Sequence, residues 1–195
     1  MRTVSDREEN VVGVILAAGF GTRFEGRSHK LLTTFRGSPM IMYSLLALRG
    51  SGIMRRAVVV GSIDFSAMLS DEETVLHNPS PLAGLSSSLS IARDWALSQR
   101  ADAMVVGLAD QPLIGSQAWA RVAAAQGAPI MVATYRGRRR NPVKLSREVF
   151  DLLPDSGDEG ARALYNSYPE LVGEIECDGE PIDIDTVEEL DEWNL

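Results

Sequence analysis

The chain is poor in the residues that build several familiar kinds of site. Its 195 residues include one cysteine, Cys177, and two histidines, His29 and His77. A single thiol excludes an internal disulfide and a cysteine-rich metal centre. Neither histidine stands at metal-ligand spacing to the other or to the cysteine, and both read as loop residues. The serines have no placed base, which argues against a Ser-His-Asp or Cys-His nucleophile. No apolar run approaches membrane-spanning length. The first ten residues, MRTVSDREEN, lack the apolar core of a signal peptide and read as a flexible end. No internal repeat or low-complexity segment interrupts the rest. With 45% hydrophobic and 24% charged residues, residues 1–195 are expected to form a single domain with a full core, in the cytoplasm.

Basic residues are missing from one long stretch. Residues 148–195 carry 16 acids against one base, Arg162, a net of −15, whereas residues 1–147 carry 11 acids against 18 bases, a net of +7. A chain with an overall charge of −8 is poorly steered to nucleic acid, so neither nucleic acid nor membrane is an expected partner. A small anionic ligand needs only local cations or a metal. Bases gather at Arg23, Arg27, Lys30 and Arg36, and again at Arg136, Arg138, Arg139, Arg140 and Lys144. Solvated surface is the favoured reading of the second group.

What is present centres on residues 11–30, VVGVILAAGFGTRFEGRSHK. The apolar run 11–16 reads as a buried strand ending in turn residues. Ala17, Ala18, Gly19 and Gly21 allow a backbone to approach a ligand closely. Their N–H groups can cradle anionic oxygens, and Arg23 and Lys30 add positive charge. The physical reading is a phosphate-binding loop at the carboxyl end of a first β-strand, where open α/β sheets bind ligands. No Gly-Lys-Ser/Thr follows as in a Walker A loop, and GxGxxG is absent. On spacing alone an ordinary strand-to-helix turn fits equally well.

Strands and helices alternate downstream. Residues 39–49 (PMIMYSLLALR) read as a helix stopped near Gly50, 56–60 as a buried strand, 63–69 as a short helix and 74–76 as a short strand. A Pro-rich turn at 77–84 leads into a helix reaching about Ser98, with Leu82, Leu85, Leu89 and Trp95 sharing its buried face. Free N–H groups at this helix start, with the hydroxyls of Ser86, Ser87 and Ser88, suit an anion or a polar base edge; plain N-capping is the alternative. The strand 103–108 ends in Ala109-Asp110-Gln111-Pro112, and a carboxylate there suits Mg²⁺ or a turn. Residues 116–125 read as a helix and 129–134 as a strand. In the acidic tail two short strands lead to Thr186, which with Glu189 forms a capping box. Asp183 and Asp185 alternate with Ile182 and Ile184, placing both carboxylates on one face. Such a pair repels unless a cation joins it. The alternation expects a parallel sheet with helical crossovers.

These residues resemble a known family. LAAGFGTRF followed by a lysine is similar to the signature loop of nucleotidyltransferases that take an NMP unit from an NTP, within them the MobA-like branch, and most of all the molybdenum-cofactor cytidylyltransferases. The likeness runs from Val12 to about Leu190. It implies a single Rossmann-like three-layer α/β/α domain with a mostly parallel sheet. It implies a Mg²⁺-dependent enzyme that moves an NMP unit, CMP from CTP, onto a phosphorylated acceptor such as molybdopterin, with a molybdoenzyme as partner. By resemblance Leu16, Ala17, Ala18, Gly19, Gly21, Arg23 and Lys30 bind the triphosphate, and Leu82, Ala83, Gly84 and Ser87 the base. Asp110, together with Asp183 or Asp185, holds the metal, and Asp183 is narrowly preferred. The catalytic groups are then Arg23, Lys30 and Asp110. Ala109 stands where the family has glycine, and Asn141-Pro142 where cytidylyltransferases have His-Pro. Arg140, Asn141 and Arg162 are the acceptor candidates. Residues 156–164, SGDEGARAL, resemble the family's Gly-Asp-x-Gly-Ala-Arg segment, while the plain structural reading of Asp158 is a cap on the helix that follows; Arg162 reads slightly better as an ion-pair partner than as a ligand contact. A non-catalytic carrier of a nucleotide-bearing cofactor is the second class of function, as is transfer of GMP to a different metabolite within the first.

Overall fold

The computed structural model describes residues 8–19, 29–154 and 156–194. A seven-stranded sheet runs through the molecule. Its strands are β1 (Val11–Ala17), β4 (Arg55–Val60), β5 (Glu73–His77), β6 (Ala103–Leu108), β7 (Ile130–Tyr135), β8 (Arg138–Ser146) and β9 (Val172–Glu176), in the order β5-β4-β1-β6-β8-β7-β9. Pairings are parallel except those of β8, which runs against both β6 and β7. Two-residue strands β2 (Thr34–Phe35) and β3 (Ser38–Pro39) form a separate hairpin.

Alternation along the strands produces the layers. In β1, Val12, Val14 and Leu16 face one core with Leu89, Ala92 and Ala96 of helix α2 (Leu85–Ser98) and Leu164 of α4 (Ala161–Ser167). Ile15 and Ala17 face the other core, with Leu45 and Leu48 of α1 (Met40–Arg49), Trp119 of α3 (Ser116–Ala124) and Leu190 of α5 (Val187–Trp193). Strands buried on both faces need nearly continuous apolar runs, which is what 11–16, 56–60 and 103–108 supply. The expected three-layer α/β/α arrangement with a mostly parallel sheet is therefore present.

Several local expectations are corrected. Within 63–69 only a 3-10 turn, Ser66–Met68, forms. The second tail strand is absent: residues 177–185 carry no strand, yet Ile184 N donates to Asp110 O at 3.2 Å and Ile184 is fully buried. His77 closes β5 and is not in a loop. Leu82 precedes α2 and is 87% exposed, so it shares no buried helix face. Of the ten residues expected to form a loose end, residues 1–7 lie outside the described residues, and Glu9 and Asn10 are tied down. Asn10 N donates to Asp102 Oδ2, and Glu9 accepts from Lys144 Nζ at 2.7 Å. Lys144 is thus buried and paired, against the solvated reading of its cluster, and Arg139 pairs with Glu174. Among the described residues no helix is long and apolar enough to cross a membrane.

Candidate active site

The site lies at the carboxyl edge of the two central strands. In the β1–β6 register Leu16 faces Leu108, so the segments leaving both strands start side by side. Ala109 N donates to Leu16 O at 3.1 Å, fixing Ala18-Gly19 beside Ala109-Asp110. A cavity of about 450 Å³ opens above them. Leu16, Ala17, Ala18, Gly19 and Lys30 line one side, and Asp110, Asp183 and Asp185 another. Leu82 and Gly84 line its rim. Gly21 and Arg23 lie outside the described residues.

Three residues far apart in sequence converge here. Lys30 Nζ donates to Asp110 Oδ2 and to Asp185 Oδ1, each at 2.7 Å. Burial alone would lower the pKa of this ammonium; the Asp110 and Asp185 carboxylates outweigh it and raise the value above that of an ordinary lysine. Asp185 is held by the helix that follows. Glu189 Oε2 accepts from Asp185 N at 2.7 Å while completing a capping box with Thr186. Asp185 is therefore no N-cap: Thr186 fills that role. Asp183 points elsewhere and accepts from Gln111 Nε2 at 2.7 Å. The residue as a whole is exposed, but its carboxylate sits in a crowded recess. That desolvation raises its pKa, the charge of Asp110 adding to it. Lys30 thus groups Asp110 with Asp185 and leaves the narrowly preferred Asp183 outside the pair.

The donor set fits a divalent cation. Asp110 Oδ1 is buried and has no hydrogen-bond partner among the described residues. An orphaned carboxylate oxygen is costly unless a cation or water meets it. No cluster of three or more His, Cys, Asp or Glu side chains forms a metal cage among the described residues. Mg²⁺ does not need one, since it commonly uses one or two carboxylates plus phosphate oxygens and water.

The rim is built differently from expectation. At Gly84 φ is +91°, and a Cβ would come within 2.5 Å of Gly157 O. Gly157 O in turn accepts from Ser86 N at 3.0 Å, and Ser87 N donates to Gly84 O. Two N–H groups at the start of α2 are therefore spent inside the protein and not free for a ligand. Ser87 Oγ donates to Gly84 O at 2.8 Å and accepts from Asn78 Nδ2, so it fastens the 80–84 turn; Ser88 lines the cavity instead. Ala83 uses its carbonyl on Gly157 N and does not line the cavity.

A second cavity, of about 370 Å³, adjoins the first, and both are lined by Asp158 and Asp183. The structure brings Arg140, Asn141 and Arg162 together on its wall. Arg162 forms no ion pair with any described residue, contrary to its expected structural role, and Asp158 does not cap α4, whose N-cap is Gly160. Between β7 and β8 the register steps from Val132–Val143 to Ala133–Arg140, so Asn141 and Pro142 bulge out. Bulges of this kind re-aim side chains beside sites. Asn141 Nδ2 reaches Gln111 Oε1 at 3.2 Å, and Gln111 holds Asp183. The sequence gives Gln111 no role beyond the segment that carries it, and Asp158 only that of a helix cap. His29, read as a plain loop residue, joins Gly19 O (3.0 Å) to Leu31 N (3.3 Å).

The MobA-like NTP transferase domain model matches residues 13–172. The chain is 30% identical over 145 residues to the bifunctional protein GlmU of Aquifex aeolicus; the match covers 73% of this chain but only 30% of that protein. The chain thus spans about a third of the curated relatives it matches. The crystal structure of a Mycobacterium tuberculosis rv0371c homologue from Mycobacterium sp. strain JC1 superposes with a TM-score of 0.81 at 29% identity, covering 94% of each chain. Rv0371C of M. tuberculosis H37Rv in complex with manganese superposes with a TM-score of 0.74 at 27% identity, covering 95% of this chain and 98% of that one.

Proposed function

We propose, because the chain belongs to the MobA-like NTP transferase family, that it is a nucleotidyltransferase joining an NMP unit to a phosphorylated small molecule and releasing pyrophosphate. The observation that carries this reading is the convergence of Lys30, Asp110 and Asp185 in the first cavity, beside a second cavity that shares Asp158 and Asp183 with it. One cavity has the small-residue segment of β1 on its wall, and the other has Arg140 and Arg162 on its wall. A donor and an acceptor would thus lie side by side.

The chain's own groups suit this chemistry. A phosphate acceptor is already ionised near neutral pH, so no strong general base is required. Catalysis is then alignment plus neutralisation of charge on the α-phosphate and leaving group. Ala18 and Gly19 offer backbone at the triphosphate, and Lys30 and Arg23 offer cations. Leu82 and Gly84 frame the base. Asp110 and Asp185 would hold Mg²⁺, with Asp183 facing the seam. A bound Mg²⁺ supplies Lewis acidity at the phosphates. Manganese in the mycobacterial relative supports a divalent ion. Arg140 and Arg162 present guanidinium forks suited to an acceptor phosphate, with Asn141 on the same cavity wall.

CTP is the proposed donor, on the Leu-Ala-Ala-Gly sequence of the loop, and molybdopterin is the first acceptor to test, delivered to a molybdoenzyme. The test is pyrophosphate release with CTP, GTP, ATP or UTP and Mg²⁺, against molybdopterin and a panel of sugar and polyol phosphates. Release with CTP and molybdopterin supports the full reading. Release with another pair keeps the enzyme and changes its substrates. Binding of cytidylylated cofactor without metal and without any NTP turnover would replace the enzyme by a carrier.

A further inference from the structure

The two carboxylates proposed as metal ligands already share a cation. Lys30 Nζ stands 2.7 Å from Asp110 Oδ2 and 2.7 Å from Asp185 Oδ1, with the lysine side chain only 9% exposed. Each carboxylate turns one oxygen toward the same point, and that point is taken by the ammonium. Repulsion between two cations at such range is strong, so a divalent ion held by Asp110 and Asp185 would drive the ammonium out. The buried oxygen Asp110 Oδ1 has no described partner and would receive the incoming ion.

A displaced ammonium needs another anion, because an unpaired charge in a mostly buried place is costly. Ala18 and Gly19 line the same cavity as Lys30, and a triphosphate on them would supply one. A lysine suits such an exchange, being a point charge with rotatable donors on a flexible stem. We propose that Lys30 holds Asp110 and Asp185 in place as a resident cation and is exchanged for the divalent metal, so that metal and nucleotide bind as a coupled pair. The inference rests on the reading of Asp110 and Asp185 as metal ligands. Coupling of this kind is reciprocal: each ligand tightens the other by the same factor.

The test uses Mn²⁺ alone as probe, with free Mn²⁺ followed by its paramagnetic resonance signal, on the full chain without nucleotide. Lys30→Met is expected to bind Mn²⁺ roughly tenfold or more tightly than the unaltered protein, the change expected when one repelling charge is removed. Lys30→Arg, which keeps the charge, should bind as weakly as the parent. CTP should tighten Mn²⁺ binding in the parent and much less in Lys30→Met. Thermal melting guards against misfolding: Lys30→Met should melt lower than the parent in EDTA and recover with Mn²⁺. Lys30→Gln, which retains donors without charge, is the second variant. Equal or weaker Mn²⁺ binding by folded Lys30→Met and Lys30→Gln overturns the exchange. If that result comes with Mn²⁺ binding that Asp110→Asn abolishes, the metal assignment survives and only the exchange is lost. No Mn²⁺ binding by any variant, with or without CTP, overturns both.

Discussion

Asp110 divides its carboxylate between two tasks. One oxygen pairs with Lys30, and the other is buried without a described partner. Asp110→Ala removes both, and pyrophosphate release should fall by on the order of 10²-fold or more, as when a charge-stabilising group is lost from other active sites. The variant should keep its far-ultraviolet circular dichroism, because Asp110 is half-buried at a cavity wall and fills no core. Undiminished release would remove Asp110 from the metal site. His29 acts on a smaller scale. Its Nδ1 accepts from Leu31 N, so the ring is neutral with its proton on Nε2, which donates to Gly19 O. Desolvation lowers its pKa from 6.5, the bond to Gly19 opposes this, and the charge of Lys30 assists it. The folded state therefore binds fewer protons than the unfolded chain just below that value. The contribution is complete above pH 6.5 and is lost as pH falls. Melting temperatures between about pH 7.5 and 5.5 should fall more for the parent than for His29→Gln.

At the scale of elements, ion pairs and turns hold the site's frame. Glu73 on β5 has no exposed side-chain surface, accepts two bonds from Arg49 on α1, and takes Ser70 N and Oγ at 2.8 Å. Burial would raise its pKa, but Arg49 and Ser70 pull it from 4.5 to about 2. That depressed value contributes stability present in full above pH 4.5 and lost as pH falls toward 2. Glu73→Gln should cost roughly 3 kcal/mol at neutral pH, the low end for breaking a buried pair, since Arg49 keeps some solvent. Urea midpoints of the two proteins should converge as pH drops through this window. A gap unchanged by pH would show that packing and not charge is at stake. Gly84 and Gly157 form the second element. A side chain at Gly84 meets both positive φ and the Gly157 carbonyl. Gly84→Ala should lose on the order of 1–3 kcal/mol by backbone strain alone and weaken nucleotide binding, readable by unfolding and by calorimetric titration.

At the scale of the whole molecule, a chain of net charge −8 sets Lys30 in one cavity and Arg140 and Arg162 in the adjoining one. Its most acidic stretch supplies Asp158 and Asp183 to both cavities and Asp185 to the first. Ligand and fold are therefore linked. An NTP bound at about 100 times its Kd should stabilise the protein by about 2.7 kcal/mol. A melting shift with CTP and Mg²⁺ that disappears in EDTA is the expected result. A shift with GTP alone would reassign the donor, and none with any NTP would favour the carrier.

Much of this was legible in the chain. Apolar runs bounded by small residues marked β1, β4 and β6, helical spacing marked α1 and α3, and Thr186 with Glu189 marked the start of α5. Those features depend on neighbours within a few residues, and local backbone chemistry decides them. Family resemblance picked out Lys30 and Asp110, but not their meeting. Lys30 bonds to partners 80 and 155 positions away, and no periodicity reports such a distance. Tertiary packing decided that Asp185, braced by Glu189, faces the lysine while Asp183 is drawn to Gln111. It also turned Arg162, read as an ion-pair partner, onto a cavity wall, and spent the N–H groups of Ser86 and Ser87 on Gly157 and Gly84. Each of these depends on which segments the sheet edge brings together, and burial and hydrogen-bond satisfaction across the folded chain settle that.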